Sequence, residues 1–305
     1  MDVREWALIT FTILAQMSVG SFIVLGVVHF FSARKAGEKQ ADELSDRALL
    51  AIFPVLGLGL LASLLHLGNP INAYKAVTNL GSSWLSREIL CGVLFAVVGF
   101  AFALMQWRKL GSFTLRNIVA LAAALIGIVL VYCMAMVYAL PTRPSWNLIT
   151  TPLSFYVTTL LLGVLAMGAA FVANYWYVQR KNPGCASEQC VLLRDSLRWI
   201  AVASIALLGC QFVVVPLALA LAAVGGATDS VGMLGSDYGW MFVLRLALVF
   251  LGAGVLGIFV YRAAQSPGKE QVLGMLAYAA FVLVLVGEVL GRFLFYATAG
   301  HFGLQ

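Results

Sequence analysis

Charge is scarce in this chain. Of its 305 residues only 10% are charged, while 62% are hydrophobic and the mean hydropathy is +0.96. Soluble domains carry about 25% charged residues. A water-soluble fold of this length has nowhere to hide so much apolar side chain, so the medium around it is lipid. Histidine and cysteine are also few, at three and five. Cys91, Cys133 and Cys210 fall inside apolar runs, where a thiol is a small packing residue. Cys185 and Cys190 fall in a polar stretch predicted to face the reducing cytoplasm, which disfavours a disulfide. No two cysteines have C-x-x-C spacing, so neither an iron–sulfur cluster nor another metal site is expected in the chain itself. The histidines argue against a membrane haem. His29 lies near one end of the first apolar run and His66 at the opposite side of the second, a depth difference of roughly 30 Å. His301 sits in the polar tail "HFGLQ". The alternating polarity of outer-membrane barrel strands is missing as well.

What is present is a series of eight apolar runs, at about 6–31, 48–66, 88–106, 117–140, 152–178, 198–224, 240–261 and 271–297. Lipid offers no hydrogen bonds to a bare backbone, so these runs predict helices and the protein reads as an all-α integral membrane protein. Its intramembrane charges fall in separate halves, which predicts two four-helix bundles within a single membrane domain, 1–305. The start, "MDVREWALIT", sets Asp2 and Glu5 against Arg4 with no cleavage site after it, so the first run is expected to be a retained helix. Thirteen basic residues fall in the connections after odd-numbered runs: Arg34, Lys35, Lys39, Arg47, Arg108, Lys109, Arg116, Arg180, Lys181, Arg194, Arg198, Arg262 and Lys269. Only Arg4, Lys75, Arg87 and Arg143 fall on the other side. By the positive-inside rule the odd connections are cytoplasmic and both termini lie outside. The net charge of +6 is thus a topology signal and does not point to nucleic acid.

The stretch "LLHLGNPINAYKAVTNLGSSWLSREIL", 64–90, joins the second and third runs on the outer side. Asn69-Pro70 reads as a helix start, Ile71, Tyr74 and Val77 recur at helical spacing, and Gly81 ends the run, predicting a short helix in the interface. Ser83 or Ser86 is a candidate cap for the third helix, placing Glu88 in its first turn. Two readings of this cluster stand. Glu88 complements a helix dipole, His66 bonds a carbonyl, and Lys75 and Arg87 anchor at the headgroups. Alternatively, the imidazole and the carboxylate accept and relay protons, as a quinol's oxidation requires. The last two runs hold Arg245, Glu288 and Arg292. In "VGEVLGRFLFY" Glu288 and Arg292 are one turn apart, and an Arg–Glu–Arg ion network, either a structural lock or a substrate or proton site, is expected. Gln16, in "FTILAQMSVGSF", reads as a bond between helices or a pocket lining. Intramembrane charge also suits an alternative function, a proton-coupled transporter.

The segments "EWALITFTILAQMSVGSFIV", "LLASLLHLGNPINAYKAVTNLGSSWLSREIL", "YALPTRPSWNLITTPLSFY" and "GEVLGRFLFYA", in sequence order, resemble the membrane anchor subunits of dimethyl sulfoxide reductases. The resemblance implies an eight-helix, haem-free anchor in the bacterial inner membrane with periplasmic termini. It implies oxidation of menaquinol to menaquinone near the periplasmic face. Electrons would pass to an iron–sulfur subunit and a molybdopterin catalytic subunit on that side. His66 in "HLGNP" matches the family's functional histidine, and Glu88 in "SREIL" matches its glutamate. In that setting Arg87 and Lys75 stabilise negative charge or dock the partner, and Gln16 lines the pocket. The connections "QRKNPGCASEQCVLLRDSLR" and "GGATDSVGMLGSDYG" depart from the family pattern, which leaves the terminal acceptor open.

Overall fold

A computed structural model describes residues 3–65, 78–181, 187–266 and 268–299, and every regular element in them is helical. In sequence order these are α1 (Val3–Ala36), α2 (Glu38–Leu65), α3 (Trp84–Arg108), α4 (Phe113–Met136), α5 (Thr150–Lys181), α6 (Ser187–Val224), α7 (Thr228–Ser236) and α8 (Gly239–Val249). A π-helical turn, Phe250–Leu256, leads on into α9 (Gly257–Ala264), and α10 (Glu270–Ala297) follows. Counting α8 to α9 as one, eight of these are long and apolar enough to cross a bilayer. The protein is a multi-pass, all-α membrane protein, as its composition predicts.

Most helices overrun the apolar runs that announced them, because backbone hydrogen bonding continues past the hydrocarbon into the headgroup layer. The fourth is the exception. Expected to reach 140, it stops at Met136, and the backbone turns through Leu140, whose N–H bonds the Tyr138 carbonyl, ahead of Pro141. The seventh crossing is not one regular helix. Its glycine-rich middle widens into the π turn, where Gly252 packs so closely on α10 that an added Cβ would lie 2.7 Å from Val284. The glycine-rich connection before it contains the short helix α7. Turns between helices can be very tight: Gly37 alone separates α1 from α2, at φ 89°, with its N–H bonded to the Ala33 carbonyl.

An even number of crossings puts the start of α1 and the end of α10 on one face, here called the terminal face. The α2–α3 connection, the α4–α5 turn and α7 share it. The opposite, basic face carries the remaining turns. There Asp42 and Asp46 of α2 accept hydrogen bonds from Lys109 Nζ at 2.7 and 2.8 Å and from Gln106 Nε2 at 2.6 and 2.9 Å. His29 pairs with Asp42 at 2.9 Å, and Arg116 donates to Gln106 at 3.0 Å, so one polar knot joins α1, α2, α3 and α4.

The interior follows from which helices avoid lipid. α1 and α5 are the most enclosed crossings, while the others turn apolar side chains such as Leu58, Val97, Leu121, Val213 and Val243 outward. α2, α3 and α4 gather on the α1 side and α6, α8, α9 and α10 on the α5 side, with the α1–α5 contact as the seam. At that seam a Cβ on Gly20 would sit 1.9 Å from the Thr159 carbonyl oxygen, and one on Gly163 would sit 2.2 Å from the Gly20 carbonyl carbon. The two backbones touch, as small residues permit in membrane helices.

Gly163→Ala is therefore expected to destabilise the fold by about 2–3 kcal/mol, because the obstacle is backbone and cannot rotate away. Gly26→Ala, with nothing within 4 Å of the new methyl, should be neutral or slightly stabilising. Thermal unfolding in mild detergent, followed by size-exclusion chromatography, compares the two.

Candidate functional site

Ser83 caps α3: its Oγ accepts from the Ser86 N–H at 3.3 Å. The helix starts at Trp84, so Glu88 opens its second turn, one residue later than the first-turn position expected from sequence. Glu88 is 7% exposed, and among the described residues its carboxylate has neither an ion pair nor a hydrogen bond. Cys91, one turn on, and Cys133 of α4 lie beside it. An isolated carboxylate is expensive to keep in a membrane interior. Such a carboxylate can take up a proton or accept a hydrogen bond, and no described residue does the latter for Glu88.

Arg87 turns the other way. Its Nε and Nη2 donate to the carbonyls of Leu80 and Gly81, both at 2.8 Å, and its guanidinium lies 4.3 Å from the centre of the Trp84 ring. Arg87 thus fastens the last residues of the α2–α3 connection to the first turn of α3. His66, Lys75 and nearly all of the helix expected after Asn69 lie outside the described residues.

The second cluster forms, but not as the expected ion network. No direct ion pair joins Glu288 to Arg245 or Arg292. Instead Glu288, 2% exposed, accepts from the Thr158 hydroxyl and from Gln211 Nε2, both at 2.6 Å. Arg292, 6% exposed, donates to Gln16 Oε1 at 2.7 Å and stacks 3.8 Å from the centre of the Phe155 ring. Gln16, fully enclosed, passes the link on by donating its Nε2 to the Phe155 carbonyl at 3.1 Å. Neutral amides and hydroxyls have replaced counter-charges, and Gln16 belongs to this cluster rather than to Glu88. Arg245, whose Nε is buried without a partner, borders a cavity of about 160 Å³ between α5, α6, α8 and α10, with Glu288 and Arg292 also on its wall.

Between the clusters stand two tyrosines that sequence reading passed over. The Tyr138 and Tyr296 hydroxyls are 2.6 Å apart, within electrostatic reach of both Glu88 and Arg292. Trp146, Phe155 and Phe295 box them in, and Trp146 donates its ring N–H to the Phe295 carbonyl at 2.8 Å. By position near helix ends these rings resemble an ordinary interfacial aromatic belt, which hid them. Gln211 and Thr158 carried a fainter signal, as polar residues inside apolar runs. Among the described residues no group of His, Cys, Asp and Glu side chains has the arrangement of a metal site.

Residues 1–298 match the family model described as DMSO reductase anchor subunit (DmsC). Three relatives align over nearly the whole length. The YnfH subunit of an anaerobic dimethyl sulfoxide reductase of Escherichia coli is 29% identical, covering 96% of this protein and 94% of the relative. The C subunit of the anaerobic dimethyl sulfoxide reductase of Escherichia coli is also 29% identical, with the same 96% and 94% coverage. The C subunit of the Haemophilus influenzae anaerobic dimethyl sulfoxide reductase is 30% identical over 98% of this protein and 96% of its own length.

Replacing Gln16 with leucine strips the buried Arg292 of its acceptor, at an expected cost of about 2 kcal/mol. Gln16→Glu keeps an acceptor for Arg292 and should hold the arginine in place. Thermal unfolding of the two variants beside the parent protein separates loss of the bond from loss of shape.

Proposed function

The chain belongs to the DMSO reductase anchor subunit family, and on that premise we propose that it is the quinol-oxidising membrane subunit of a reductase complex. Glu88 carries the reading: a buried carboxylate in α3, close to the terminal face, with no partner among the described residues. Menaquinol, when bound, supplies two electrons and two protons. His66 accepts a hydrogen bond and then a proton from one ring hydroxyl, and Glu88 accepts the other or relays protons outward. Arg87 holds Leu80 and Gly81, the end of the α2–α3 connection, against the first turn of α3. Lys75 contributes positive charge for docking or for developing negative charge. The contrast of thirteen basic residues to four supports a cytoplasmic basic face and a periplasmic terminal face in a bacterial inner membrane.

The electrons leave toward an iron–sulfur subunit seated on the terminal face, which hands them to a molybdopterin catalytic subunit. The protein needs no haem for this. His29 is engaged by Asp42 at the basic face, which supports the haem-free reading. The family match favours this function over the permease that intramembrane charges alone would allow.

The test titrates a fluorescent quinol analogue into membranes carrying the assembled complex. His66→Ala and Glu88→Gln should each weaken quenching at least tenfold, the loss of about one charge-assisted hydrogen bond. Parent-level affinity in both variants would sink the assignment.

A further inference from the structure

The basic face holds two adjoining cavities of about 350 and 310 Å³ that share Asp195 and Arg198. Arg194 borders the first; Lys35 at the end of α1, Trp199 of α6 and Tyr261 of α9 border the second. Three cations thus stand against two carboxylates, Asp195 and Glu270. Asp195 is bridged by Lys35, while Arg198 stands 3.9 Å from Asp195 and Arg194 stands 3.9 Å from Glu270, too far for hydrogen bonds. Neither of these guanidiniums donates a hydrogen bond within the described residues. Each presents a fork of donors in the geometry that fits a phosphate.

Directly beside the cations the surface becomes greasy. Trp199 is 73% exposed, and Val202 and Ile205, further along α6 toward the bilayer centre, are exposed too. Arg198 lies 5.6 Å from the centre of the Tyr261 ring, which forms the opposite wall. A ring of cations at headgroup depth above an apolar wall matches one amphipath, with phosphate above and acyl chain below. An acidic protein segment would meet the cations but leave the apolar wall in lipid. A zwitterionic lipid brings its own ammonium against Lys35 and the two arginines.

We propose that this surface, between α1, α6 and α9, is a binding site for an anionic phospholipid, its phosphate held by Lys35, Arg194 and Arg198 and one acyl chain laid along Trp199. The site is independent of the quinol reading and lies on the opposite face from Glu88. A bound lipid there would tie the end of α1 to the second half of the molecule.

The test places the purified protein in phosphatidylcholine nanodiscs containing either brominated phosphatidylglycerol or brominated phosphatidylcholine. The contribution of Trp199 to the fluorescence is the difference between the parent protein and Trp199→Phe. Basic groups near a membrane surface favour anionic lipid by about fivefold each. With a net excess of one cation over Asp195 and Glu270, brominated phosphatidylglycerol should quench Trp199 at about fivefold lower mole fraction. The double variant Lys35→Gln/Arg198→Gln, which leaves Arg194 against two carboxylates, should abolish that preference. Should the variant not fold, about 0.5 M NaCl added to the parent protein should produce the same loss by screening. Equal quenching by the two lipids, a ratio indifferent to salt, or relief of quenching by inorganic phosphate at low millimolar concentration would overturn the proposal.

Discussion

Gly20 and Gly163 let α1 and α5 meet backbone to backbone, and the interior is laid out from that crossing. The two helices leave the terminal face together. One turn before Gly20, Gln16 reaches α5 and bonds the Phe155 carbonyl; the same amide then receives Arg292 from α10. On α5, Thr159 lies under Gly20, and its neighbour Thr158 turns toward Glu288. A single close approach therefore sets where a tenth helix, hundreds of residues later, can bury an arginine. Had the helices been held apart by even a methyl, the Gln16 amide could not have bridged both neighbours at hydrogen-bond length.

Lipid makes the choice of partners for buried charge unusually strict. A guanidinium or carboxylate in hydrocarbon must be satisfied within the protein. The second half solves this without a direct ion pair: Glu288 rests on a hydroxyl and an amide, and Arg292 on an amide and an aromatic face. Neutral donors cost less to desolvate than a second charge. The first half treats its charge differently, for Glu88 has no such partners among the described residues. One carboxylate is locked into the packing, and the other is buried without a hydrogen-bond or ion-pair partner among the described residues.

Much of the architecture was legible in the residues. Eight apolar runs, the basic connections and the capping serine before α3 each follow from local chemistry. Helix ends were less so, since apolarity stops at the hydrocarbon edge while the helix of α1 runs on to Ala36. The π turn was hidden because "FLGAGVL" has the same hydropathy in either helix form. Glu88 was visible as a carboxylate near a membrane face. Tyr138, Tyr296, Thr158 and Gln211 were not, because each is an ordinary residue until a distant helix brings its partner.

Composition and charge order by themselves determined that the protein crosses lipid eight times as helices, because solvent preference is a property of each residue and its near neighbours. Only the tertiary structure decided that Gln16 serves Arg292, that Glu288 rests on Thr158 and Gln211, and that Lys35 and Tyr261 gather beside Arg198 and Trp199. Those pairings span up to 276 positions of sequence and depend on the spacing of whole helices. Hydropathy records that a side chain must leave water or lipid; it does not record which neighbour will be waiting.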